Sequence, residues 1–137
     1  MNSLNLKLIT PHGTILDEEI NQATMNTEAG EITVLANHTP LVSVLRAGTL
    51  LAKKDGKNMP LAVAGGIIQF FKNKLIILTD TAEHASGIDL ERAQQKAAKL
   101  ARELGQKEKM NLTTYKTLQR QLEREQARIG VAKKWRK

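Results

Sequence analysis

The chain contains no cysteine among its 137 residues. Disulfides and thiolate metal sites are therefore unavailable to it, which fits a reducing compartment. Aromatic residues are almost as scarce. Phe70, Phe71, Tyr115 and Trp135 are the whole set, so the core has to be aliphatic. Long apolar runs are missing too. The longest unbroken stretch of apolar residues or glycine is Leu61 to Ile68, whereas a helix takes about 20 such residues to span a bilayer. The start of the chain lacks a charged stretch followed by an apolar run. The expectation is a protein without a secretory signal, soluble or held at a membrane only through a partner.

Catalytic signatures are absent as well. There is no G-x-x-x-x-G-K-[ST] phosphate loop, no G-x-G-x-x-G, no H-E-x-x-H and no G-x-S-x-G. His12, His38 and His84 fall in three separate turn or loop stretches. Metal ligation would need them to converge, and each reads as a solvated loop histidine.

The charge that is present is unevenly spread. Residues 1–88 carry 7 Lys/Arg against 8 Asp/Glu, a net −1, and residues 89–137 carry 14 against 6, a net +8. A chain of this length holds one or two small domains. The charge asymmetry suggests two modules with different partners, 1–86 and 87–137.

The first module reads as about ten strands in a β-sandwich or barrel. In "LNLKLI", Leu4, Leu6 and Leu8 alternate with polar residues, the period of a half-buried strand. "PHG" at Pro11–Gly13 is a turn signal. "ILDEEINQATM" reads as a strand, an acidic bend and a second strand. "TLLAKKDGKNMPLAV" is a hairpin with Asp55-Gly56 at its tip, where glycine takes positive φ readily. "IIQFFKNKLIILTD" repeats that pattern around Asn73. Gly65-Gly66, inside a strand pattern, reads as a bulge or a close backbone approach rather than a phosphate cradle.

The second module reads as an antiparallel two-helix hairpin. Leu90, Ala93, Ala97, Leu100, Ala101 and Leu104 follow the spacing of one helix face. Asp89 is a candidate N-cap and Gly105 a candidate C′ residue. After a polar link, Gln106–Asn111, a second stripe runs through Leu112, Tyr115, Leu118, Leu122 and Ile129, interrupted near Glu125 and Gln126. A short link joins antiparallel neighbours. Both stripes are narrow, so the pair should need the first module, a ligand or a partner to hold one arrangement.

Two stretches carry chemistry. In "GEITVLANHTPLVSVLRAG", Gly30 to Gly48, a polar break at Ala36–Pro40 separates two apolar runs, and Glu31 and His38 are both able to donate or accept protons. An enzyme built on this pair lacks an orienting third group. In "GIDLERA", Gly87 to Ala93, Arg92 stands in the first turn of a helix. A cation there opposes the helix dipole unless an anion arrives, so the stretch is a candidate anion site.

These stretches carry a resemblance. "GEITVLANHTPL", "AVAGGIIQF" and "ILTDTAEHASGIDLERA", in this order and spacing, resemble the epsilon-subunit family of the F-type ATP synthase from Leu4 to about Arg128. Gly30, Glu31, His38, Pro40 and Leu41 match the pattern G-E-x-G-x-x-x-x-H-x-P-L, with Thr33 standing where glycine is usual. The resemblance implies a non-catalytic rotor-stalk subunit that couples proton flow to ATP synthesis. It would bind the gamma subunit and rest on the c-subunit ring, with Glu31 and His38 in a loop facing that ring. It would meet the membrane only through the complex, at the cytoplasmic face of a bacterial plasma membrane or, as second choice, a plastid thylakoid.

The resemblance also implies a regulatory ATP, neither hydrolysed nor required as a cofactor. Ile88, Asp89, Arg92 and Ala93 match I/L-D-x-x-R-A, and Glu83 matches an upstream acid. Lys99 replaces an expected arginine and loses its bidentate fork. Arg120 and Arg124 would close over the phosphates when the hairpin folds down. Extended, the basic second helix would reach the alpha and beta subunits and block ATP hydrolysis. The alternative is a small basic nucleic-acid-binding protein, with the tail Lys133–Lys137 offering Trp135 as a stacking face. A charge run of this kind is more often a solvated face, so no nucleic-acid partner is expected.

Overall fold

The computed structural model describes residues 3–106 and 111–135. Residues 107–110 of the polar link, and Arg136 and Lys137 of the tail, lie outside the described residues. Ten strands come first: β1 (Leu4–Thr10), β2 (Gly13–Ile20), β3 (Gln22–Thr27), β4 (Gly30–Leu35), β5 (Leu41–Leu45), β6 (Gly48–Lys54), β7 (Lys57–Val63), β8 (Gly66–Phe71), β9 (Lys74–Thr79) and β10 (Ala82–His84). A 3-10 turn, Ala85–Gly87, leads to α1 (Leu90–Leu104) and α2 (Leu112–Trp135).

The strands form one sheet in the order β10-β7-β6-β3-β5-β8-β9-β1-β2, with β4 paired to β3. It folds on itself into a near-barrel. Pairing is antiparallel except for β1 with β9, which run parallel in the register Leu6↔Leu75 and Leu8↔Ile77. That pair lies some 70 residues apart in sequence, and neither strand's pattern announces it. The core is aliphatic, as the composition requires. Leu4, Leu6, Leu8, Ile20, Met25, Leu50, Leu61, Ile68, Leu75 and Ile77 are buried, and Phe70 is the one aromatic among them.

Both expected hairpin tips are present. Lys54 pairs with Lys57 around Asp55-Gly56, and Phe71 pairs with Lys74 around Lys72-Asn73. All four turn residues have positive φ, as a two-residue turn that follows the strand twist demands. Gly66 supports the close-approach reading. Its φ is +153°, and a Cβ there would collide with the Leu78 carbonyl oxygen.

Two local expectations change. Asp17–Glu19 form no bend but lie within β2, where Asn5 donates to Asp17 (3.1 Å) and Ser3 to Glu19 (3.1 Å). The chain turns instead at Asn21. Cross-strand partners on β1 suffice to keep charged residues in an extended strand. Gly105 is not a left-handed C′ residue. It caps α1 in a right-handed conformation (φ −65°), its amide donating to Ala101.

The start of α1 lies beside the end of α2: Ile88 packs with Val131 and Ala132. Further along, Lys96 meets Glu125. The helices are therefore antiparallel. Ala62 of β7 and Ala85 complete this second apolar cluster, which seats α2 on the barrel wall. Small residues let the backbones come close. Leu112, counted in the apolar stripe, is 67% exposed, because burial on α2 is greatest at its other end. Its N-cap is Asn111, whose side chain accepts from the Thr114 amide (2.8 Å).

Candidate functional site: an ionic cluster where the hairpin meets the barrel

Asp89 starts α1 as its pattern predicts, its carboxylate accepting from the Arg92 amide at 3.1 Å. Ile88 and Ala93 are buried and hold this end of the helix in place, while the Arg92 and Lys99 side chains point into solvent. One turn beyond Ala93, Lys96 reaches across to α2. Its Nζ lies 3.7 Å from Glu125 Oε2.

Glu125 is the centre of the site. It is 0% exposed, in the middle of an otherwise amphipathic helix. Arg128 Nη1 donates to its Oε1 at 2.6 Å, and Arg124 Nε lies 4.0 Å from Oε2. The same Arg128 guanidinium donates through Nε to Glu83 Oε2 on β10 at 2.9 Å. Burial opposes the Arg128 charge, but the hydrogen bonds and charges of Glu125 and Glu83 outweigh it, so its pKa stands above the ordinary arginine value. Lys96, Arg124 and Arg128 against Glu83 and Glu125 leave the cluster at +1. Arg124 Nε and Glu125 Oε2 are both buried without a hydrogen bond. A net-positive, incompletely bonded cluster at a helix junction is suited to holding an anion.

The sequence-predicted residues are only partly gathered here. Glu83 and Arg124 belong to the cluster. Arg120 does not. It stands with Arg124, Ala64 and Asp80 along a small cleft of about 130 Å³. It also borders a larger cleft of about 490 Å³ formed by Pro11, Gly65, Gly66, Ile67, Leu78 and Thr79. The arginine that meets the upstream acid is Arg128. Glu125 and Lys96 were missed because an acid in an apolar stripe reads as an interruption. The available signal was Glu125 with Arg at i−1 and i+3.

Glu31 and His38 are not brought together. Glu31 is exposed near the start of β4, paired opposite Asn26, and His38 follows the other end of that strand. At about 3.3 Å per residue the four steps from Glu31 to the end of the strand at Leu35 span roughly 13 Å. His38 Nδ1 lies 2.7 Å from the Thr39 carbonyl, and its ring meets Phe70 edge-on at 5.9 Å. At that spacing the two side chains do not form a catalytic pair. Trp135 is half-buried against the apolar cluster that seats α2 rather than free for stacking. Among the described residues no group of His, Asp or Glu could hold a metal, and no helix is long and apolar enough to cross a membrane.

Comparison with known proteins decides the family. Residues 3–85 match the model of the ATP synthase delta/epsilon chain β-sandwich domain. The chain belongs to the ATP synthase epsilon family. The epsilon chain of Staphylococcus saprophyticus is 36% identical over 96% of this chain and 98% of its own. That of Geobacter metallireducens is 37% identical over 96% and 94%. Among solved structures, a chain of the Euglena gracilis mitochondrial ATP synthase superposes with a TM-score of 0.77. It is 23% identical and covers 91% of this chain and 78% of that one, a likeness of fold. Members of the epsilon family are subunits of the synthase and not its catalytic centre.

Proposed function

We propose that this chain is the epsilon subunit of a rotor stalk. Its β-domain, residues 1–86, would bind the gamma subunit and rest on the c ring, and its helical hairpin, residues 87–137, would regulate ATP hydrolysis. One observation carries the gamma contact. Val42, Val44, Ile67 and Leu78 form an exposed apolar row across β5, β8 and β9, with Val44 opposite Ile67 and Ile67 opposite Leu78. Val42 is 73% exposed. Adjacent branched side chains on one sheet face are suited to burial against a partner. Such a contact should survive salt, whereas nucleic-acid binding by the basic half would fall steeply with it.

The hairpin in its docked state leaves the motor free to turn both ways. Extended along gamma, its basic α2 would reach the alpha and beta subunits and stop hydrolysis, while coupling of proton flow to synthesis proceeds through the stalk. ATP is the candidate regulatory ligand, with Glu83, Asp89, Arg92, Lys99, Arg120 and Arg124 as the candidate polar contacts and the buried Ile88 and Ala93 holding the start of α1 in place. It would favour the docked state by its differential affinity. Glu31 and His38 remain c-ring candidates at opposite ends of β4, so each is to be tested alone. The complex would hold the chain at the cytoplasmic face of a bacterial membrane.

The test substitutes Val44→Asp with Ile67→Asp and measures binding to purified gamma by calorimetry in low and high salt. Loss of binding by about a hundredfold or more, with parent affinity little changed by salt, is expected. Undiminished gamma binding by the double variant overturns the assignment of this face.

A further inference from the structure

We propose that the Glu125 carboxylate is a tethered anion that neutralises the cations gathered between α1, α2 and β10, and so docks the hairpin on the barrel without a bound ligand. Lys96 comes from α1, and Arg124 and Arg128 from α2. With Glu125 removed, Lys96, Arg124 and Arg128 would face one remaining acid, Glu83, which is shared with solvent and already engaged by Arg128. Like charges then oppose one another around the buried Glu125 position, with Arg128 mostly buried and Lys96 and Arg124 partly open to water. Holding the helices together would require an anion from outside.

Four features set Glu125 apart from an ordinary surface acid. It is fully buried, although acids almost never are unless paired. Its partners lie on both helices, so the carboxylate joins the hairpin as well as capping one guanidinium. Through Arg128 it connects to Glu83, so the same network reaches the barrel. Its Oε2 also makes no hydrogen bond and faces Arg124 Nε, which makes none either. The carboxylate thus supplies charge to this corner without filling its donors. An external phosphate, with more acceptor oxygens, would compete for the same cations.

The proposal extends the nucleotide reading by stating how that site is occupied when empty of ligand, but its central part stands without it. The absence of cysteine lets two labels be placed by Asp55→Cys on the β6–β7 turn and Thr113→Cys near the start of α2. Energy transfer between them reports docking in the full chain. The labelled parent is expected to show one docked population without ATP. Glu125→Gln, which keeps the shape and removes the charge, is expected to shift the docked-to-undocked ratio by about tenfold or more. Far-ultraviolet circular dichroism and the melting profile of Glu125→Gln report whether the barrel stays folded. A Lys96→Met, Glu125→Gln double variant, which restores the charge balance, is expected to recover part of the docking. Millimolar ATP should redock Glu125→Gln and change the parent little. A variant as fully docked as the parent, or a parent undocked without ATP, overturns the proposal. Undocking that ATP fails to reverse supports the tethered anion and overturns only the nucleotide as its competitor.

Discussion

Arg128 on the second helix donates to Glu83 on the last strand at 2.9 Å, across 45 residues of sequence. This contact, together with the Arg128 bond to Glu125, turns a weakly apolar helix into one fastened to the barrel. Arg128→Ala leaves Glu125 buried without its 2.6 Å partner. The docked hairpin should lose about 2 kcal/mol, because the buried Glu125 then keeps only its longer ion pairs to Lys96 and Arg124 and loses its charged hydrogen bond. Hydrogen exchange should show faster opening of α2 with the barrel amides unchanged.

The same arginine sets a pH expectation. Its folded pKa is raised, so the stability it supplies is complete below its unfolded value and is lost only as pH rises through the still higher folded value. Arg128 therefore adds no pH dependence to docking between about pH 7 and about pH 9. A docking profile measured at both values in the parent and in Arg128→Ala should differ by a constant offset. A difference that grows or shrinks with pH would contradict this.

Asn73 ties three loops at one end of the barrel. Its side chain accepts from the Asn37 amide (2.8 Å) and donates to the Ser3 carbonyl (2.7 Å), while its backbone takes φ +63°. Asn73→Gly keeps the turn and removes both bonds, so a loss of about 1–2 kcal/mol is expected. Asn73→Ala adds backbone strain and should lose more. Thermal melting of the two variants separates the contributions.

Gly66→Ala should destabilise the barrel by about 2 kcal/mol or more, since the new methyl meets the Leu78 carbonyl and neither backbone can yield cheaply. Gly56→Ala, at an open turn position, meets no neighbour and should lose only what its positive φ demands. Urea midpoints compare them directly.

Asp89 has two separable roles. Asp89→Ala removes the N-cap and should weaken α1 by about 1 kcal/mol. Asp89→Asn keeps the cap and removes the charge. Calorimetric titration with ATP is expected to show saturable binding in the parent. A change in Asp89→Asn with its helix intact would mark the carboxylate as a ligand contact rather than a cap alone.

The strands were legible because period-two alternation and turn residues are local. Leu4, Leu6 and Leu8 mark a strand whatever they face, and Asp55-Gly56 marks a tip. The parallel β1–β9 pair was not legible, since register between distant strands depends on closure of the whole sheet. In the site, Asp89 was readable because a cap acts within one turn. The pattern pointed to Arg120 and Arg124 as the arginines of α2 nearest a bound phosphate, and it did not single out Arg128, which meets Glu83. One helical turn selects a different neighbour on another element, and spacing along α2 cannot say which turn faces the barrel.

The sequence alone determined the strand-and-helix order, the aliphatic core, the capped start of α1, the basic character of the hairpin and the family. Each follows from short-range periodicity, composition or motif order. Tertiary structure alone decided that Glu31 and His38 stand apart, that Val42, Val44, Ile67 and Leu78 form one apolar face, and that Glu125 is buried. Those outcomes depend on which surfaces meet. The charge of Glu125 becomes tolerable inside only once Lys96, Arg124 and Arg128 surround it, and no local pattern contains that arrangement.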